Sequence, residues 1–512
     1  MSHCSRLTLT ALTLIAASAF APQAQASGFQ LREQSPLSQG NAFAGVSAGT
    51  GDVSAMFFNP AVMTQHDGIQ FSFGATYVGL SAKFENATAT RTPTLLGLGF
   101  QSAPVTGTNL NTISGASSHP NAAISAALPE FNIMYSVNKD LKVGFSLNVP
   151  FGLTTEYDSN WIGRYHALKS DLKTIDLAPS VAYRVNNQFS FGVAFIARKA
   201  DAELTNAVDY GTALALKVGA GLAGAGLSTA SSPGVNSPVA NIAMGAPSAA
   251  FGTPGFAIPG AWDGQAGLKG SAWGYGWKAG ATFQPTPEFR LGLAYQAAMS
   301  MTLKGDASFT YPGAWSSQNQ YSFDLAAIQT AGGLKNGKGQ ADLNLPATLS
   351  LGFDWQATPT FALQGEVARS TWSKFKTLVV KFTDNVAPQT TESITDENWN
   401  DTTFISVGGT WKLNQDWVFR AGLAFDKSAV DDAHRTPRIP DNDRKWVSFG
   451  CSYTLSKKAT LDVGYSRLLI SDGKVMLTSG TTSADPNLTR GNLNGTIKSA
   501  INILGASLRY SF

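Results

Sequence analysis

From Phe289 the chain alternates between two kinds of side chain. Phe289, Leu291, Leu293, Tyr295, Ala297, Met299, Met301 and Leu303 are apolar, and the positions between them, Arg290 to Lys304, are small or polar. That period of two predicts a β-strand with one apolar face. Phe189, Phe191, Val193, Phe195 and Ala197 repeat it, with Gln188, Ser190, Gly192, Ala194 and Arg198 opposite. Soluble sandwiches alternate in this way too, but their strands average about five or six residues. Runs this long fit strands that cross a membrane and project beyond it.

Short turn signals separate the runs: Asn138-Lys139-Asp140, Asn186-Asn187, Pro285-Thr286-Pro287, Thr358-Pro359-Thr360, Asn414-Gln415-Asp416 and Ser456-Lys457-Lys458. Long polar or glycine-rich connections lie between them, at 85–127, 205–267, 305–340, 384–400, 431–443 and 478–498. Short turns at one end and long loops at the other are the asymmetry of an outer-membrane barrel. Pairing the runs across each turn, with terminal strands near 68–84 and 499–512, gives roughly fourteen, an even number. The expected fold is all-β: a transmembrane antiparallel β-barrel over residues 68–512.

Composition agrees once a barrel is considered. Hydrophobic residues make up 43% and mean hydropathy is −0.03. After the N-terminus no stretch supplies the roughly 20 apolar residues of a membrane helix. Lipid cannot hydrogen-bond backbone, so the remaining spanning solution is a closed barrel, whose two faces average to neutral hydropathy. The formal net charge of +3 is too small to argue for a nucleic-acid partner.

The N-terminus predicts the compartment. One basic residue, Arg6, the apolar stretch Leu7 to Phe20 and the Ala24-Gln25-Ala26 site form a cleavable export signal over residues 1–26. Residues 27–67 do not alternate, and Phe29, Leu31, Phe43, Phe57 and Phe58 need burial away from lipid. A hatch, or plug, inside the lumen would bury them. At the other end Leu504, Ala506, Leu508, Tyr510 and Phe512 share a face, which resembles the terminal signal read by barrel-insertion machinery. Cys451 is left without a partner once Cys4 departs with the signal.

Several chemical signals are set aside. Gly219 to Gly224 matches G-x-G-x-x-G without a strand leading into it, so it is not read as a nucleotide loop. His3, His66, His119, His166 and His434 show no metal-ligand spacing. Asp441-Asn442-Asp443 lacks the glycine and distal glutamate of a calcium loop. No cofactor and no metal is expected. Trp161 and Trp262, in or beside loops, suit interface anchoring as well as ligand stacking.

In Ser27-Gly28-Phe29-Gln30-Leu31, Asn59-Pro60-Ala61 and Ile439-Pro440-Asp441-Asn442-Asp443-Arg444 the chain resembles the FadL-type long-chain fatty-acid transporters of the Gram-negative outer membrane. The resemblance runs from Ser27-Gly28-Phe29-Gln30-Leu31 to Asn59-Pro60-Ala61, then Tyr183 to Asn187, Gly276 to Gly280 and Leu343 to Pro346. It continues at Thr371 to Phe375, Phe419 to Gly422, Ala424 to Asp426 and Ile439 to Arg444. It implies a fourteen-stranded barrel, a hatch ending at Asn59-Pro60-Ala61, and a kinked third strand opening sideways to the bilayer. The run Leu141 to Tyr157 has the means for a kink in Pro150 and Gly152, which break a ladder or mark a bulge. In this family context the resemblance places the gate next to Asn59-Pro60-Ala61. It also implies ligand capture in loops such as 205–267 and 305–340, and a monomer.

Binding a fatty acid needs an apolar tunnel and a cation for the carboxylate. By parity Arg198 and Lys278 point inward, and the Ser27 amine would lie in the plug with Phe29 and Leu31. The segments where the family holds its basic residues, near Leu204-Thr205-Asn206 and Glu397-Asn398-Trp399, carry no Arg or Lys in register. Arg198, Lys374 and Lys376 are the substitutes, although a lumenal Arg or Lys also serves as an ion-pair partner. Three readings follow: a channel for hydrophobic compounds (fatty acids or hydrocarbons), a barrel lipase or protease, and an adhesin. No catalytic residue is assigned, because no histidine sits clearly within a strand beside a nucleophile.

Overall fold

The computed structural model describes residues 28–91, 112–210, 263–311, 335–382, 392–479, 485 and 487–512. Fourteen antiparallel strands close into a ring. They are β1 (Ile69–Thr90), β2 (Ala126–Ser136), β3 (Leu141–Asn148 and Gly152–Glu156), β4 (Lys169–Arg184) and β5 (Phe189–Asp209). Next come β6 (Asp263–Thr286), β7 (Phe289–Gln296 and Met299–Thr310), β8 (Gly337–Leu345 and Thr348–Thr358) and β9 (Phe361–Ser370 and Thr377–Phe382). The ring ends with β10 (Glu392–Asp396 and Thr402–Lys412), β11 (Trp417–Asp426), β12 (Arg444–Thr454), β13 (Ala459–Ile470 and Gly473–Leu477) and β14 (Asn492–Ser511). β14 pairs with β1 from Gln70↔Ser511 to Thr90↔Asn492, which closes the ring. Several strands run further into the expected loops than the pattern suggested: β1 continues to Thr90, β5 to Asp209 and β7 to Thr310.

The alternation is real but changes hands along the barrel axis. Phe289, Leu293 and Tyr295 face outward, whereas Met299, Met301 and Leu303, of the same parity, are buried inside. The expectation of a single apolar face from 289 to 303 is therefore corrected. The strand is interrupted at Ala297-Ala298 and resumes on the opposite face. β8 does the same at Pro346-Ala347: Leu349 and Leu351 face out, while Leu343 and Leu345 face in. β13 reverses at Ser471-Asp472. Below the breaks, lipid on the outside selects apolar side chains. Above them the outside meets the polar membrane surface and then water, so Ser300 and Lys338 face out and the apolar residues line the interior.

Residues 28–67 lie inside the ring. A short helix, α1 (Pro36–Gln39), is capped by Ser35, whose hydroxyl accepts from the Ser38 amide at 3.1 Å. Two 3-10 turns follow, Val53–Phe57 and Pro60–Gln65. Wall glycines let this segment touch the strands: a Cβ at Gly292 would stand 1.9 Å from the Ser47 carbonyl oxygen, and one at Gly422 2.1 Å from that of Asn41. Phe43 is fully buried against Phe58 and Trp446.

Candidate functional site: a broken strand and an apolar cleft

β3 breaks between Asn148 and Gly152, where Pro150 has no amide hydrogen to give a neighbouring strand. Its ladder with β2 stops at Phe131↔Leu147, although both halves remain on β4. Residues from inside the barrel satisfy the freed backbone. The Leu31 amide donates to the Pro150 carbonyl at 2.8 Å, and the Gly152 amide donates to the Phe29 carbonyl at 3.1 Å. Gln34 caps the other side, its Nε2 donating to the Val149 carbonyl at 2.7 Å and its Oε1 accepting from the Val149 amide at 2.9 Å. A segment of the lumen thus stands in for a strand of the wall.

Aromatic rings hold that segment. Phe29 has its ring centroid 4.9 Å from Trp372, 5.6 Å from Trp399 and 6.0 Å from Phe151. The rings at 372 and 399 come from the interruptions of β9 and β10, at Thr371–Lys376 and Glu397–Asp401. Gly28 adopts φ +66°, and a Cβ there would lie 2.5 Å from the Trp399 ring, so the position demands glycine twice over. The backbone is tethered as well: the Gly28 amide donates to Asp441 Oδ2 at 2.8 Å, and Arg444 donates to the Gly28 carbonyl at 2.9 Å.

Above Phe29 the interior is an apolar cleft lined by Leu153, Leu172, Leu204, Leu268, Leu303 and Leu343, with Arg438 at one end. Arg438 is 7% exposed. Its Nη1 donates to the Lys169 and Thr205 carbonyls and the Ser170 hydroxyl, and its Nη2 to Asn206 Oδ1. Among the described residues no carboxylate lies within ion-pairing distance of it, unlike Arg198. Burial and the nearby Arg490 pull its pKa down, with Glu397 acting the other way; a guanidinium keeps its proton at neutral pH regardless. On its far side Arg438 faces a polar cavity shared with His166, Thr436 and Arg490. Burial drives the His166 pKa down to about 3.

The expected site residues divide. Phe29 and Leu31 meet Pro150 and Gly152 at the break, as above. Lys278 is inside, its Nζ donating to the Phe57 carbonyl, and shares a small cavity with Leu31 and Pro150. Arg198 is inside and ion-paired with Asp176 through Nε and Nη2, at 2.6 and 2.7 Å, with its buried Nη1 left without a hydrogen-bond partner among the described residues, and it sits over the Phe151 ring. Lys374 and Lys376 are exposed beside the buried Trp372 and Phe375 and do not line the cleft. Asn59, Pro60 and Ala61 directly follow Phe57 and Phe58, which line the same small cavity as Lys278 and Pro150. Asn59 Nδ2 donates to Ser47, Ala281 and Leu293 carbonyls, and Gly192 leaves room for the Ala61 backbone, so the motif is anchored on β5, β6 and β7. Ser27, Trp262 and most of the two candidate capture loops lie outside the described residues. Trp161 is 1% exposed and stacked on Tyr157, a packing role.

Arg438 went unnoticed in the sequence because 431–443 looks like a polar surface loop. Instead it folds inward, burying Arg435, Thr436, Ile439 and Asp441. The available signal was its arginine content, Arg435, Arg438 and Arg444, around the Ile439 to Arg444 motif.

A closed barrel with an apolar belt and a filled lumen is an outer-membrane transport barrel in class. The chain belongs to the outer membrane protein transport family (OMPP1/FadL/TodX), which matches residues 17–512. It is 29% identical to the long-chain fatty acid transport protein of Escherichia coli O6:H1, over 94% of this chain and 95% of that one. A putative outer membrane protein of Neisseria meningitidis is 30% identical over 99% of both. The crystal structure of a Pseudomonas aeruginosa FadL homologue superposes with a TM-score of 0.74 at 25% identity, covering 95% of this chain and 100% of that one. The Pseudomonas putida toluene transporter TodX shares the fold at 18% identity and a TM-score of 0.61, with 95% and 100% covered. The chain is an outer-membrane transporter of hydrophobic compounds, not an enzyme.

Proposed function

We propose that the compounds carried are long-chain fatty acids, with the alkyl chain in the leucine-lined cleft and the carboxylate on Arg438. The single observation that carries this reading is a buried guanidinium, free of carboxylate partners among the described residues, at the end of an otherwise apolar cleft. Without an anion it holds its charge only against carbonyls, a hydroxyl and an amide; a ligand carboxylate would add a charge-assisted bond. Residues 27–67 then act as a hatch, and the ligand leaves sideways when Phe29 and Leu31 release the β3 break. Sideways exit keeps the alkyl chain out of water, which matters at about 0.8 kcal/mol per CH₂.

The test is uptake of labelled oleate and labelled toluene by cells lacking their own such transporters, with and without this chain, native or Arg438→Gln. Oleate uptake that falls in Arg438→Gln supports the reading. Toluene uptake alone, unaltered in Arg438→Gln, would assign the arginine to loop packing and the cleft to neutral hydrocarbons.

A further inference from the structure

The wall has a second discontinuity, between β6 and β7. These strands pair from Gln265↔Thr310 to Ser271↔Lys304, and again from Lys278↔Gln296 to Phe283↔Leu291. In the interval, Ala272 to Trp277 stay in unbroken register with β5, and Met299 to Leu303 stay on β8. Toward each other they form no ladder; the one backbone bond at its margin is from the Ala297 amide to the Trp277 carbonyl, 3.0 Å. β7 spends one residue more than β6 in crossing the interval.

Side chains close the seam where backbone does not. Met299 and Met301 are buried against Gly276 and Gly274, whose missing Cβ atoms would lie 2.7 Å from Met299 Cε and 2.6 Å from Met301 Cε. Outside, Trp273, Tyr275 and Trp277 are half or more exposed, the aromatic side chains of a membrane interface. The seam also stands level with the β3 break: Gly274 pairs with Arg198, Arg198 with Asp176, and the Phe151 amide donates to Thr174 on the same strand as Asp176. Both discontinuities face one apolar cluster, which holds Phe29, Phe151, Met299, Met301, Leu303 and Leu343.

We propose that this seam is a second lateral port, closed only by methionines, through which an unbranched alkyl chain in the outer leaflet reaches the cleft. Swinging two flexible thioether side chains breaks no ladder bond, since none spans the seam, whereas the β3 break opens only when residues 29–34 give up their backbone bonds. The two glycines keep the passage narrow and free of Cβ atoms, which suits a single hydrocarbon chain. The port rests on the cleft being the ligand path, and does not depend on Arg438 or on carboxylate recognition.

The experiment is cysteine labelling in liposomes, in a Cys451→Ser background, with a bilayer-dissolved pyrene maleimide and a sulfonated, water-confined one. Met301→Cys is compared with Leu378→Cys, which lines the same cleft from β9, two strands from the seam; Met299→Cys substitutes if the former does not assemble. The port requires the pyrene reagent to label the methionine position at least several-fold faster than Leu378→Cys, with the sulfonated reagent slow at both. Equal rates at the two positions would overturn it. Because labelling needs no transport, this result stands apart from the oleate test.

Discussion

The Leu31 amide and the Pro150 carbonyl, 2.8 Å apart, join the lumenal segment to the broken strand β3. The bond makes the closed state of the barrel depend on where residues 28–34 lie. Anything that withdraws them leaves Val149 to Phe151 unpaired toward β2, beside the bilayer.

Pro150→Val should lower uptake with the barrel intact. Valine supplies an amide hydrogen, so β3 can regain a bond to its neighbour; about 1 kcal/mol in favour of the closed wall means roughly fivefold fewer open molecules. Oleate uptake at matched surface abundance, with heat-dependent gel mobility to verify assembly, checks this.

Gly28→Val should loosen the segment. The left-handed φ and the contact with Trp399 together cost a β-branched residue about 1–3 kcal/mol, and the tether to Asp441 and Arg444 goes with them. Proteolytic cleavage within residues 28–34 should accelerate over native protein, and an unchanged rate would mean that the aromatic cage does not hold the segment.

Arg438→Gln should weaken oleate binding by about tenfold to a hundredfold, the worth of a charge-assisted hydrogen bond of roughly 1.5–3 kcal/mol. Binding of methyl oleate should barely change. Lys374→Ala and Lys376→Ala, whose side chains lie outside the cleft, should bind both ligands as the native protein does. Fluorescent fatty-acid displacement measures the three variants against the native protein.

His166 makes the outer loops sensitive to acid. Its folded pKa is depressed to about 3, while an opened loop would titrate near 6.5. Between those values the opened form binds more protons, so stability is complete above pH 6.5 and falls as pH drops, by up to about 1.4 kcal/mol per unit. Arg438 and Arg490 face the ring and add to the penalty of a second positive charge, while its Nε2 lies 3.2 Å from the Gly491 carbonyl. Hydrogen exchange in 157–168, corrected for intrinsic rate, should rise between pH 7 and pH 5, and His166→Gln should remove that dependence.

The barrel was legible because period-two alternation and turn chemistry are local. Phe191 and Val193 face out and Gly192 and Ala194 face in, as their parity demands. What alternation cannot state is which solvent each face meets. Leu293 and Met301 have the same parity and similar hydrophobicity, yet one touches lipid and the other the cleft, because a two-residue break between them exchanges the faces. The β3 break was legible in Pro150, whose chemistry is its own. Its partner was not: Leu31 pairs with it through backbone across 119 residues of chain, and no side-chain pattern encodes such a bond. Arg438 was hidden for a similar reason, in a loop buried by tertiary packing alone.

The most direct measurement is a reversible lock on the segment. Gln30 and Phe151 form an antiparallel bridge, a spacing that suits a disulfide. In a Cys451→Ser background, Gln30→Cys with Phe151→Cys should take up oleate several-fold more slowly when oxidised, and recover when reduced. Equal uptake in the oxidised and reduced forms, with the cross-link verified, would contradict a path that opens by withdrawing residues 28–34 from β3.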